Sequence, residues 1–244
     1  MIASIEERSL NAWPALETVL SEGWVLRFAD GYTKRANSIQ PIYGCSEDVI
    51  SSIETCEALY TSKGLNTVFK ITPITYPSHL DAILEDRKYT VVDHTSVQTV
   101  SLQDLREPSL CTVDSYEEVT DEWLSAYCRL SQASEQHRPT MKRMFEHLVP
   151  QACFMILKDE GQAVACGMAV IERGYIGLFD VVTDADRRKK GYGEQLILNL
   201  LHFGIRNGAH HSYLQVVKSN AAALRLYEKL GYLESYSYWY RVQA

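Results

Sequence analysis

The chain has 244 residues, 46% hydrophobic and 23% charged, which allows one or two domains with a sizeable core and excludes disordered, collagen-like and disulfide-framework classes. Its 31 acidic against 24 basic residues leave a formal charge of -7, which argues against a general nucleic-acid binder, because that affinity comes mainly from neutralising phosphates with Lys and Arg. No run approaches 18 apolar residues, and Glu6, Glu7 and Arg8 stand where a signal peptide would be apolar, so no membrane association is expected and the chain is expected to be cytoplasmic.

In chain order, a short helix containing Trp13 and Pro14 comes first, then an alternating strand over 23–28 that stops at Ala29-Asp30-Gly31. That stop reads as a hairpin turn, with the return strand over 32–42. Ser46 has the chemistry to cap a helix reaching about residue 62, ended by Gly64. A short strand over 68–71, a brief helix from Pro77 to about 87 and a long Val- and Thr-rich strand over 89–102 follow. The order is β-β-α-β-α-β, and residues 105–109, with Arg106, Glu107 and Pro108, read as a linker. The expected division is therefore 1–105 and 110–244.

The second half predicts helices over 115–133 and 138–148, then strands over 152–157, 161–172 and 175–183 joined by tight turns, an antiparallel meander. Over 193–206, Leu196, Ile197, Leu200, Leu201 and Ile205 follow helical spacing and Asn207-Gly208 stops it. A strand over 212–217, a helix over 220–230 ended by Gly231 and a Tyr-rich strand over 232–242 complete the chain. Both halves end β-α-β-α-β, a likeness that common topology rules produce with or without duplication. The six cysteines are scattered singly without a CxxC pair, and the histidines form no ligand cluster. Neither a zinc site nor any other metal centre is expected, and the cysteines read as reduced thiols.

The segment that carries chemistry runs from Asp180 through Val181, Val182 and Thr183 to Arg187, Arg188, Lys189, Lys190, Gly191, Tyr192 and Gly193, between an apolar strand and an amphipathic helix. A strand feeding such a turn aims backbone N–H groups and the positive end of the helix dipole at one point, which suits an anion. Gly191 and Gly193 would let a phosphate approach the main chain, and the four basic residues add charge at the rim. A solvated turn or a nucleic-acid patch is the alternative use of such a run. No GxxxxGK[ST] or GxGxxG pattern is present.

The Arg188-x-x-Gly191-x-Gly193 spacing, the strand before it, the helix after it and the later run from Asn220 to Tyr227 and Leu230-Gly231-Tyr232 together resemble the GNAT superfamily of N-acetyltransferases, over residues 112–242. The resemblance implies an α+β fold with a mixed, mostly antiparallel central sheet flanked by helices. It further implies an acetyl-CoA site, with the pyrophosphate on Arg188, Lys189, Lys190, Gly191, Tyr192 and Gly193. The pantetheine would run beside Val181, Val182 and Thr183, and Asn220 would contact the cofactor arm. Tyr227, seven residues on and so on nearly the same helix face, would protonate the departing thiolate. An N-cap Asn and a core-edge Tyr are the structural alternatives for these two.

The base that frees the acceptor amine is less defined: Asp180 and Glu172 are the candidates, each equally readable as a surface acid. Residues 131–138 and 236–240 are candidate acceptor walls. The acceptor implied is a small-molecule or peptide amine, with oligomeric state left open, and a noncatalytic acyl-CoA-binding regulatory module is the rival reading. The segment from Gly23 to Ser38 is similar to the N-terminal regions of some two-part GNAT proteins, but no R-x-x-G-x-G occurs before residue 180. The N-terminal half is therefore expected to extend the sheet or shape the acceptor pocket.

Overall fold

Strands that are apolar on both faces need cover on both sides, and the central strands here are of that kind. In β7 (Gln151–Asp159), Ala152, Phe154 and Ile156 enter one core while Cys153, Met155 and Leu157 enter another, because successive side chains alternate across a sheet. The fold is a computed structural model and describes residues 1–44 and 48–243.

The N-terminal elements are α1 (Ile2–Ala12), β1 (Glu17–Ser21), β2 (Trp24–Phe28), β3 (Ile39–Pro41), α2 (Val49–Ser62), β4 (Val68–Ile71), α3 (Leu80–Asp86) and β5 (Thr90–Ser101). Two sequence expectations are corrected here. The tight hairpin joins β1 to β2 through Glu22 and Gly23, both at positive φ, whereas β1 is mostly exposed and shows no alternating pattern that would announce it. The return strand shrinks to β3 because Asn37 holds residues 29–37 as a loop, its Oδ1 accepting from the N–H groups of Ala29 (2.7 Å) and Gly31 (3.0 Å). Ser46 lies outside the described residues, and Asp48 caps α2 by accepting from the Ser51 N–H at 3.0 Å.

The second half comprises β6 (Val113–Tyr116), α4 (Asp121–Ser131), α5 (Arg138–Glu146), β7, β8 (Gln162–Glu172), β9 (Tyr175–Thr183), α6 (Tyr192–Arg206), β10 (His211–Val217), α7 (Ala221–Lys229) and β11 (Leu233–Val242). The helix expected from residue 115 starts later. Thr120 accepts from the Trp123 N–H at 3.1 Å and sets its beginning, leaving 113–116 to pair with β7.

Among the described residues eleven strands join one mostly antiparallel sheet in the order β1-β2-β3-β4-β11-β5-β10-β9-β8-β7-β6. The N-terminal β5 lies between β10 and β11, and the C-terminal β11 lies between β4 and β5, so each half places a strand inside the other. α6 buries Leu196, Ile197, Leu200 and Leu201 against one face, each such side chain contributing roughly 1.5–3 kcal/mol. Residues of α1, α4 and α5 cover the other face around Trp13, Trp123, Met141 and Phe145. Among the described residues no helix is long and apolar enough to cross a membrane.

The site is opened by one irregularity. Between the pairs Cys166↔Val182 and Met168↔Phe179, Gly167 alone opposes Asp180 and Val181, a β-bulge, and Asp180 takes the left-handed φ of 50°. Gly167 permits it, since a Cβ there would stand 3.3 Å from the Val181 Cα. The parallel pairing of β9 with β10 ends just before the bulge, at Leu178↔Leu214. Beyond that point β9 stays with β8 and β10 stays with β5, and a cleft opens between them.

Candidate active site

Three cavities run into one another along that cleft. The outermost, about 850 Å³, lies between the end of β9, the start of α6 and α7. Asp184 accepts from the Asp186 N–H at 3.0 Å and shapes the turn after β9, Lys189 and Gly191 adopt φ of 64° and 87°, and α6 then begins with no side-chain cap. The leading N–H groups of this 15-residue helix therefore need a partner, and the helix dipole favours an anionic one. A Cβ on Gly191 would meet no atom within 4 Å, whereas one on Gly193 would come within 3.0 Å of Thr183 Oγ1. Gly191 serves the turn and Gly193 serves the close seating of α6 on β9.

Val181, Val182, Thr183, Arg188, Lys189, Gly191, Tyr192, Gly193 and Asn220 all line this groove. Lys190 is exposed and outside the lining. Arg187 is turned away, bonding Asp159 at 3.4 Å and Gln162 at 3.2 Å, and the Tyr192 hydroxyl also goes to Asp159. In their place α7 supplies Arg225 and Lys229, which no sequence motif singled out. Lys229 is paired with Glu194 at 2.7 Å.

The groove passes into a central chamber of about 470 Å³ that holds Asp180, Tyr227, Arg188, Asn220, Gln215, Ser131, Gln132, Tyr127 and Arg35. Asn220 caps α7, its Oδ1 accepting from the Ala223 N–H at 3.1 Å, and its place in the lining leaves the amide N–H₂ for the groove. Burial pushes the Tyr227 phenol up to about 12, so it keeps its proton at neutral pH. Burial also pushes the Asp180 carboxyl up to about 7, against the opposing pull of the Arg35 charge and of the Tyr127 phenol. The Asp180 Oδ2 is closed off from solvent and has no hydrogen-bond partner. Glu172 is not part of the chamber. It sits at the far end of β8, accepts from Asn11 at 3.1 and 3.2 Å and pairs with Arg173 at 3.2 Å.

A third compartment of about 400 Å³ shares Arg35, Tyr127, Asp180, Gln215 and Val217 with the chamber and adds Trp13, Tyr32, Lys34, Asp93, Tyr238 and Tyr240. Of the expected acceptor walls, Ser131 and Gln132 reach the chamber and Tyr238 and Tyr240 reach this compartment. Tyr236 turns away, donating to Glu6 Oε1 at 2.6 Å. Gln215 is held in place by donating to Ser9 Oγ and accepting from the Tyr238 hydroxyl, each at 2.8 Å. The residues contributed by the N-terminal half, Arg35 above all, were not assigned from sequence, although Arg35 lies in the stretch from Gly23 to Ser38.

The family described as "Probable histone acetyltransferase Rv0428c C-terminal" matches residues 1–241. A Bacillus subtilis protein described as the uncharacterized N-acetyltransferase YobR is 30% identical over 246 residues, 99% of this chain and 98% of its own. The chain belongs to the GNAT superfamily of N-acetyltransferases. A GCN5-related N-acetyltransferase from Kribbella flavida shares the GNAT fold with a TM-score of 0.71 at 18% identity, covering 99% of this chain and 94% of that one. A tandem GNAT protein of the clavulanic acid biosynthesis pathway aligns with a TM-score of 0.65 at 14% identity over 98% and 87% of the two chains. The chain is thus an acetyltransferase.

Proposed function

We propose that this acetyltransferase takes its acetyl group from acetyl-CoA and passes it to a primary amine by direct attack within a ternary complex. The observation that carries the reading is the continuity of the three cavities from the uncapped start of α6, through the cleft at the bulge, to Asp180. An uncapped helix N-terminus flanked by Arg188, Lys189 and Arg225 fits a diphosphate. The cleft edge of β9 over 179–183, released from β10, suits an extended amide-bearing arm. When bound, acetyl-CoA supplies an acetyl group activated as a thioester.

The residues of this chain do the rest. Asp180, with a carboxyl poised near 7, accepts the proton of the incoming ammonium, directly or through one water, and the freed amine attacks. Tyr227 donates a hydrogen bond to the departing sulfur, which leaves as the thiol by taking up the second proton that the attacking nitrogen sheds as the amide forms. Against a thiol of ordinary pKa ~8.5, full transfer from a phenol near 12 would be uphill by about 5 kcal/mol, an excess that shrinks because the same dry chamber also disfavours a thiolate. Direct attack is supported by the lining: among the described residues no cysteine reaches any of the three cavities. Ser131, in the chamber, donates its hydroxyl to the Tyr127 carbonyl at 2.6 Å. Residues 110–244 supply the donor site and residues 1–105 much of the acceptor wall.

Incubation with acetyl-CoA and a panel of amines, following free thiol and acetylated product together, tests the reading. Stoichiometric, amine-dependent release of both is the expected result. Thiol release that no amine accelerates contradicts it.

A further inference from the structure

Arg35 and Asp180 line both the chamber and the third compartment, and although each charge acts on the other, no salt bridge joins them among the described residues. The Asp180 Oδ2 and the Arg35 Nε are both shut off from solvent and both lack a hydrogen-bond partner. Their neighbours behave differently: Lys34, one residue before Arg35, pairs with Asp93 at 3.0 Å. Arg35 is held by its backbone, whose carbonyl accepts from Arg27 Nη1 at 2.7 Å. Its guanidinium lies over the rings of Trp13 at 5.2 Å and Phe179 at 5.9 Å, a setting that fixes its plane. Burial would lower its pKa, but Tyr238, Tyr240 and Asp180 outweigh that and keep the cation fully charged.

The Arg35 guanidinium bonds Tyr238 and lines both spaces with no carboxylate at salt-bridge distance among the described residues; a guanidinium so placed is costly unless an anion completes it, and its planar fork matches the two oxygens of a carboxylate. Asp180, on the same cavity, offers the complementary seat for an ammonium. The chamber and the third compartment, about 470 and 400 Å³, fall in the range of small-molecule sites, roughly 300–1,000 Å³. We infer that the acceptor is a small amino acid-like zwitterion whose ammonium is received at Asp180 and whose carboxylate is received by Arg35. This rests on the acetyl-transfer reading and narrows it, because polyamines and peptide N-termini lack the carboxylate. Arg35 is then a specificity-determining residue contributed by the N-terminal half.

The test uses the unmodified full chain with acetyl-CoA and two matched series: the twenty L-amino acids with β-alanine and 4-aminobutyrate, and the carboxamide of each. For the best acceptor the inference expects kcat/KM at least ~100-fold above that of its amide, mainly through KM, since a site built to bond a polar group rejects analogues lacking it. Calorimetry in the presence of CoA should show the same order for binding alone. Arg35→Gln should bring the ratio below about 5, and Arg35→Lys, which keeps the charge but not the fork, should give an intermediate value. The wild-type ratio stands whether or not the variants fold. Amides accepted as well as the free acids by the unmodified enzyme would overturn the inference while leaving acetyl transfer intact. Failure of the folded protein to bind acetyl-CoA would overturn both.

Discussion

The proposed donor groove and the proposed acceptor compartment are joined through the central chamber and are built in opposite ways. The groove comes from two short stretches, 181–194 and 220–229, and its central feature is a set of main-chain N–H groups at an uncapped helix start. The acceptor compartment draws Trp13, Tyr32, Arg35, Asp93, Asp180, Tyr238 and Tyr240 from almost the whole length of the chain, and its character is set by side chains. A backbone-made site asks only for a turn and small residues, so it can stay constant while the acceptor wall changes identity around it. In the proposed reading, reaction type is invested in the first region and substrate choice in the second.

The largest effect should come from blocking the backbone site. Gly191→Glu forces a side chain into left-handed backbone, costing ~1–2 kcal/mol, and puts a carboxylate where the donor's anion belongs. Acetyl-CoA binding should fall more than ~100-fold by equilibrium dialysis, with an unchanged far-UV spectrum. Tight binding in that variant would show that the amides of α6 are not the anchor.

Asp180→Asn should lower kcat/KM by ~100-fold or more and remove the rise of rate with pH through about 7 that the wild type should show. Stability should move the other way. A carboxyl raised to about 7 from 3.8 weakens the fold progressively as pH climbs between those values, with the loss complete above 7. The variant should therefore melt like the parent at pH 4 and above it at pH 8, by up to about 4 kcal/mol. Equal melting at pH 8 would mean that Asp180 is not held near neutrality.

Tyr227→Phe should lower kcat by ~10–100-fold and leave the acetyl-CoA dissociation constant within about threefold, so a parallel fall in affinity would make the ring a packing element instead. The smallest effect belongs to Arg187, which faces Asp159 and Gln162 and not the groove. Arg187→Ala should change kcat/KM less than about twofold, as progress curves at matched salt would show.

The same contrast explains what could be read from sequence. The R-x-x-G-x-G turn, the strand before it and the amphipathic helix after it are local features, so their periodicity and glycines announce them, and the meander of β7, β8 and β9 was visible through its tight turns. The interleaving of β5 and β11 was not, because strand pairing between residues more than a hundred apart leaves no local trace. The bulge escaped because Gly167 looks like any strand glycine until Val181 is seen 3.3 Å from its absent Cβ. Arg187 and Arg188 are adjacent and alike, yet only Arg188 lines the groove, a distinction set by the turn geometry and by Asp159 on another hairpin. Arg35 lies within the segment from Gly23 to Ser38, and nothing short of tertiary packing brings it to the cavities that Asp180 lines.

The most direct test of the account is a crystal structure of the protein grown with acetyl-CoA. Density for the diphosphate at the N–H groups that open α6, with the pantetheine running between β9 and β10 toward Asp180, is the predicted result. A donor bound elsewhere, with β9 and β10 closed over an empty cleft, would contradict the account at its root.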